Sequence, residues 1–134
     1  MPSRVDNSLS STPGAPAFEI LRIQIDPQTC AVSVEGELDL STAPRLKWML
    51  IDALEAGETR LVLDLSRCPF MDSTALGVLV GFNRSLHEAA GLAVVCDRAN
   101  VLKIFELSGM DGTFAIFPTL DQALAHLGGR AGAG

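Results

Sequence analysis

The sequence contains no tyrosine and a single tryptophan, Trp48, so it lacks the aromatic platform on which unpaired bases stack. Basic residues are scarce as well: 10 Lys and Arg stand against 16 Asp and Glu, and a net charge of -6 has the wrong sign for nucleic acid or an anionic membrane. Cysteine is limited to Cys30, Cys68 and Cys96, far apart and without a C-x-x-C pair. That spacing specifies neither a disulfide framework nor a zinc knuckle, and it fits a reducing compartment. No apolar run reaches the roughly 18 residues of a membrane span, and the N-terminal "MPSRVDNSLSSTPGAPA" has no apolar core of signal length. There is no GxxxxGK[ST], no GxGxxG and no pair of His or Cys at ligand spacing. These absences predict a soluble cytoplasmic protein with no nucleic-acid or membrane partner, no cofactor and no metal; a monomer or weak dimer is expected.

What the chain does have is apolar content, 48% of its 134 residues, enough for one compact core. Residues 1–17 and 128–134 are rich in Ser, Pro, Gly and small residues, which bury too little apolar area to offset ordering, so both are expected to be disordered tails. A single domain is expected over residues 18–127. "FEILRIQI" and "AVSVEGEL" alternate at period two around the turn "DPQT", the pattern of an antiparallel hairpin. Leu46, Met49, Leu50, Ala53 and Leu54 fall at helical spacing, with Ser41 or Thr42 as candidate cap, Pro44 in the first turn and Gly57 as the stop. "RLVLDLS" and "LAVVC" are short apolar runs of strands covered on both faces. Between them a helix is expected from Thr74 to about Ala90. Val101, Ile104, Phe105 and Ser108 mark another that stops at Gly109. "TFAIF" is a last strand and "TLDQALAHL", with a Thr119 to Gln122 capping box, a last helix.

The order β-β-α-β-α-β-α-β-α is that of an α/β fold: a mixed central sheet that begins with an antiparallel hairpin and carries packed helices. Right-handed crossovers make the later strands parallel, so the loops after Leu38, Leu65 and Cys96 share the carboxyl edge of the sheet, where α/β proteins place their binding sites. The stretch "FMDSTALGVLVG" opens a helix on that edge. Either Asp72 or Ser73 is the cap, because both side chains accept from first-turn N–H groups. If Asp72 takes that part, the Ser73 hydroxyl is free. The helix carries more apolar residues than one buried stripe needs, and Gly77 with Gly81 permits close approach of another backbone, from a neighbouring helix or from a partner. "MDSTA" is not the G-x-S-x-G elbow of hydrolases, and His87 lies 14 residues along the same expected helix, about 21 Å from Ser73. His126 belongs on the surface of the last helix. No catalytic residue is expected, and the protein is not an enzyme on this reading.

Three segments together carry a family resemblance: "GELDLSTAPRL", "LVLDLSRCPFMDSTALGVLVG" and "VLKIFELSGMDGTF". In this order, over residues 18–127, the chain resembles the anti-sigma factor antagonists, the soluble bacterial branch of the STAS domains. The resemblance implies that Ser73, after the Asp of "FMDS", is the phosphorylation site of a serine-kinase anti-sigma factor. Thr74 offers a second, adjacent hydroxyl. It further implies that the unphosphorylated form binds this kinase and frees a sigma factor for transcription, and that a metal-dependent serine phosphatase restores it. Asp39, Ser41, Thr42, Asp72, Thr74 and Leu76 are the expected partner-binding residues. An alternative within the family is a scaffold module of a stress-signalling complex, not regulated by phosphorylation. Ala75 departs from the pattern, since many members have Gly there.

Overall fold

The computed structural model describes residues 18–86 and 90–132. The tail expected over residues 1–17 and His87 lie outside them. Strand β1 (Glu19–Asp26) and strand β2 (Thr29–Glu35) form the expected hairpin, with Asp26 facing Thr29 across Pro27 and Gln28. The Asp26 carboxylate accepts from the Gln28 N–H at 2.9 Å, an Asx turn that closes the hairpin. Helix α1 (Ala43–Glu55) follows, then β3 (Arg60–Arg67), α2 (Ser73–Arg84), β4 (Gly91–Val95), α3 (Ala99–Leu107), β5 (Ala115–Phe117) and α4 (Leu120–Gly132). The sheet order is β1-β2-β3-β4-β5, antiparallel at the hairpin and parallel thereafter.

Strands that add in sequence order along one direction, joined by right-handed crossovers, send every crossover helix to the same face. Helices α1, α2 and α3 accordingly share one side. Their residues Leu46, Leu50, Leu79, Phe82, Val101 and Phe105 pack with Val32, Leu61, Leu63, Leu65 and Val94 in the larger core. The other face of β3 and β4 offers Val62, Ala93 and Val95 to Ala123 and Leu127 of α4. Residues 61 to 63 are therefore buried whichever way they point, which is why this strand reads as a continuous apolar run. The last helix reaches β3, β4 and β5, and at the hairpin end of that face Ile23 and Ile25 are exposed.

Several boundaries differ from the sequence expectations. Helix α2 begins at Ser73 rather than Thr74 and ends at Arg84, well before Ala90, because both the Ser85 hydroxyl and its N–H turn back to the Phe82 carbonyl, at 2.7 and 2.9 Å. A short 3-10 turn, Met110–Gly112, follows the left-handed Gly109 (φ 78°) and was not foreseen; it sets Phe114 edge-on to Phe105, ring centres 5.6 Å apart. Helix α4 passes residue 127 and runs to Gly132. One half of the expected capping box forms, Thr119 Oγ1 accepting the Gln122 N–H at 3.3 Å, while the Gln122 side chain accepts from the Thr119 hydroxyl at 3.2 Å.

Leu63 is fully buried in the central strand of the larger core. Leu63→Ala is expected to lower unfolding stability by about 2–5 kcal/mol in urea denaturation, through lost apolar contact and the cavity left behind. A loss under about 1 kcal/mol would mean that this core is loosely packed.

Candidate functional site

The carboxyl edge of β2 and β3 is joined beyond the ends of the strands. Gly36, at φ 114°, bends the chain after β2 in a conformation that glycine adopts without steric cost, and its N–H donates to the Arg67 carbonyl at 3.2 Å. The two chains then meet again. Leu38 and Met71 form an isolated parallel bridge, with the Leu38 N–H on the Phe70 carbonyl at 2.9 Å and the Asp72 N–H on the Leu38 carbonyl at 3.0 Å. Both side chains are buried. The turn that starts at Asp39 and the helix that starts at Ser73 are thereby set side by side on a floor anchored in the core.

At the start of α2 the two candidate caps separate. Asp72 is the cap: its backbone is extended and its carboxylate accepts the Ala75 N–H at 3.1 Å. Ser73 occupies the first helical position, exposed, and its hydroxyl has no hydrogen-bond partner among the described residues. The Ser73 and Thr74 N–H groups likewise have no acceptor there. A nucleophilic oxygen thus stands unpaired at the positive end of a helix, beside two free donors. Thr74, the next residue, is exposed too.

The neighbouring turn decides the other cap assignment: of the two candidates Thr42 stands at the N-cap position of α1, and its side chain makes no cap bond to the helix. Instead the Asp39 carboxylate accepts from the Ser41 N–H at 2.9 Å, the Ser41 hydroxyl at 2.7 Å and the Thr42 N–H at 3.1 Å. Thr42 Oγ1 accepts the Asp39 N–H at 2.9 Å and lies 2.8 Å from the Glu37 carbonyl, to which it donates. The Ser41 hydroxyl first, then the backbone N–H groups, hold the Asp39 carboxyl below the ordinary carboxylate range. The sequence offered three polar residues at this turn, and only their mutual geometry shows which of them organises the rest.

Leu76 does not belong on this face: it is 5% exposed and packs in the larger core. The apolar surface at the edge comes instead from Leu40, 73% exposed, and Phe70, 43% exposed. Both sit next to residues singled out by the sequence, and their hydrophobicity was the available signal, hidden by loops where apolar residues have no periodicity to betray them. The loop that carries Phe70 is tied from below. The Arg98 Nε–H donates to the Ser66 carbonyl at 3.0 Å, Asn100 Nδ2 donates to the Pro69 carbonyl, and the Cys68 thiol donates to the Phe70 carbonyl at 3.1 Å. Burial pushes all three cysteine thiols above their ordinary value, so they are protonated packing groups rather than nucleophiles.

From Thr74 a groove of about 470 Å³ runs between α1 and α2, lined among others by Lys47, Ile51, Gly77, Val78 and Gly81. A methyl group added at Gly77 or Gly81 would meet nothing within 4 Å. Neither glycine is therefore required by packing inside the domain, which removes the neighbouring helix as the reason for them. His126 is exposed on α4, tilted against Phe117 at 5.1 Å between ring centres. Among the described residues no cluster of His, Cys, Asp and Glu has the geometry of a metal site, and no helix is long and apolar enough to cross a membrane.

The sheet order, the opening hairpin and the hydroxyl-bearing helix start at the carboxyl edge fit one family: a STAS-domain model matches residues 21–123, and the chain belongs to the STAS-domain family, among its anti-sigma factor antagonists. The anti-sigma-F factor antagonist RsfB of Mycobacterium tuberculosis is 33% identical over 100 residues, 74% of this chain and 82% of the relative. The crystal structure of an anti-sigma factor antagonist from Mycobacterium paratuberculosis superposes with a TM-score of 0.75 at 31% identity, covering 87% of this chain and 97% of that one. The anti-sigma factor antagonist SpoIIAA, solved in its unphosphorylated form, shares the fold with a TM-score of 0.69 at 24% identity, covering 84% and 97%.

The Asp39 turn makes a pH-dependent contribution with a defined sign. A carboxyl with a lowered folded value stabilises fully above its unfolded value of about 3.9 and loses that contribution as pH falls through the folded value. Asp39→Asn should therefore be less stable than the parent at pH 7, with the gap closing as the pH is lowered from about 4 toward 2. Urea denaturation across that range measures it, and a gap that stays constant would mean that the carboxylate charge does not hold the turn.

Proposed function

We propose that this anti-sigma factor antagonist works as a phosphorylation switch: its unphosphorylated carboxyl edge binds an anti-sigma factor that is a serine kinase, and phosphate on Ser73 abolishes that binding. The observation that carries the reading is the division of labour at the start of α2. Asp72 alone satisfies the cap, so the Ser73 hydroxyl is exposed, unbonded and open to modification without loss of the helix start. The names of the relatives supply the partner class, an anti-sigma factor.

The switch follows from charge and desolvation. A phosphoserine carries about -1.5 to -2 charges, and the free Ser73 and Thr74 N–H groups at a helix N-terminus tolerate it in the isolated protein. A partner seated on Leu40, Phe70 and the Asp39 turn would have to strip water from that dianion beside the Asp39 and Asp72 carboxylates. Folding is then little changed and association is lost. Asp39, Ser41, Thr42, Asp72 and Thr74 form the polar part of the binding face, and a metal-dependent serine phosphatase resets it. The groove that opens from Thr74 extends this face along α2, where Gly77 and Gly81 let the partner's backbone approach.

Incubation with the cognate anti-sigma kinase and ATP, followed by mass spectrometric mapping, is expected to place one phosphate on Ser73. Ser73→Asp should keep its melting temperature within a few degrees while its affinity for the kinase falls at least tenfold, a change of about 1.4 kcal/mol. Phosphate confined to another residue, or a Ser73→Asp protein that binds as tightly as the parent, would refute the proposal. A second test separates folding from binding: Gly77→Ala should raise stability by about 0.5–1 kcal/mol, because alanine is the better helix former and its methyl meets open space. The same substitution should weaken kinase binding. Tighter or equal binding would remove the groove from the interface.

A further inference from the structure

A second groove, of about 450 Å³, lies on the far side of the carboxyl edge, between α3 and β5. Its floor is apolar: Leu102, Ile116 and Phe117 are half-buried there. Its rim is Asp97, Glu106 and Asp111, all exposed, and no lysine or arginine lines it. Arg98, which follows Asp97 in the chain, directs its Nε–H to the Ser66 carbonyl on the β3 side. None of the three carboxylates has an ion-pair or hydrogen-bond partner among the described residues. An apolar cleft bounded by carboxylates of one sign selects its occupant by charge: a neutral apolar segment would leave the field unanswered and an acidic one would be repelled.

We propose that this groove binds a partner protein through a short segment in which arginines alternate with apolar side chains, the apolar groups resting on Leu102, Ile116 and Phe117 and the guanidinium groups reaching Asp97, Glu106 and Asp111. Guanidinium suits the site better than ammonium, because it is weakly hydrated and pairs with carboxylates through two parallel N–H donors. The surface is separate from Ser73, so it goes beyond the phosphorylation switch and stands or falls independently of it. It would give the protein a second contact that remains available when Ser73 carries phosphate.

The test uses the full chain, labelled with nitrogen-15, and an acetylated, amidated octapeptide of alternating leucine and arginine as probe. Two control peptides replace arginine by citrulline or leucine by serine. Saturable amide shifts confined to residues 96–118 are expected with the probe, weakening at high salt. Both controls should bind at least about fivefold more weakly, and the Asp97→Asn, Glu106→Gln, Asp111→Asn triple variant about tenfold more weakly, as three exposed ion pairs would give. These rim side chains are exposed, so the triple variant should melt with the parent; Glu106→Gln alone, expected to weaken binding about twofold, serves if it does not. The proposal is overturned by the absence of saturable binding, by shifts centred on Leu40, Phe70 and Ser73 or spread over the whole acidic surface, by controls that bind as the probe does, or by rim variants that bind as the parent does.

Discussion

Two backbone hydrogen bonds, from Leu38 to Phe70 and from Asp72 to Leu38, hold together everything that makes the carboxyl edge a surface. The paired strands proper stop at Glu35 and Arg67. Without the bridge beyond them, the Asp39 turn and the start of α2 would be independent loops, each free to sample its own conformations at about 1–2 kcal/mol of entropy per residue fixed. With Leu38 and Met71 buried beneath it, the bridge converts the stability of the hydrophobic core into positional order at the surface. The Asp39 carboxylate and the Asp72 carboxylate then act locally, each gathering the N–H groups of its own segment.

The arrangement concentrates negative charge at the face proposed to receive the partner. Asp39 and Asp72 are needed where they are, because each satisfies otherwise unpaired donors, and the cost is a locality that resists further anions once water is excluded. Solvated, the same locality accepts one more anion at the helix terminus. The difference between those two environments, rather than any change of fold, is the physical content of the proposed switch.

Much of this was legible in the sequence because periodicity and chain order are long-range constraints. The hairpin, the buried β3 run and the sharing of one edge by three loops all follow from patterns that span many residues. Two results turned on short-range choices instead. Ser41 and Thr42 are both competent caps; Thr42 takes the cap position without a side-chain cap bond, and it is the Asp39 carboxylate that gathers the N–H groups of the turn. Leu76, which the resemblance implies is a partner-binding residue, is placed in the core by its helical phase with Leu79 and Phe82, while Leu40 and Phe70 sit in loops where hydrophobicity carries no phase at all. The early stop of α2 depended on one serine folding back on its own helix. Such competitions are decided by tenths of a kcal/mol to about 1 kcal/mol, below what composition resolves.

Cys68 gives the loop under Phe70 a property that a serine there would not. Its thiol is sealed beneath the surface and donates to the Phe70 carbonyl, so an alkylating reagent reaches the sulfur only when this segment lifts off the core. The rate at which that one thiol becomes reactive under native conditions is a clock for the opening of the loop. The protein therefore contains, without any added label, a means of timing how often its carboxyl edge comes apart.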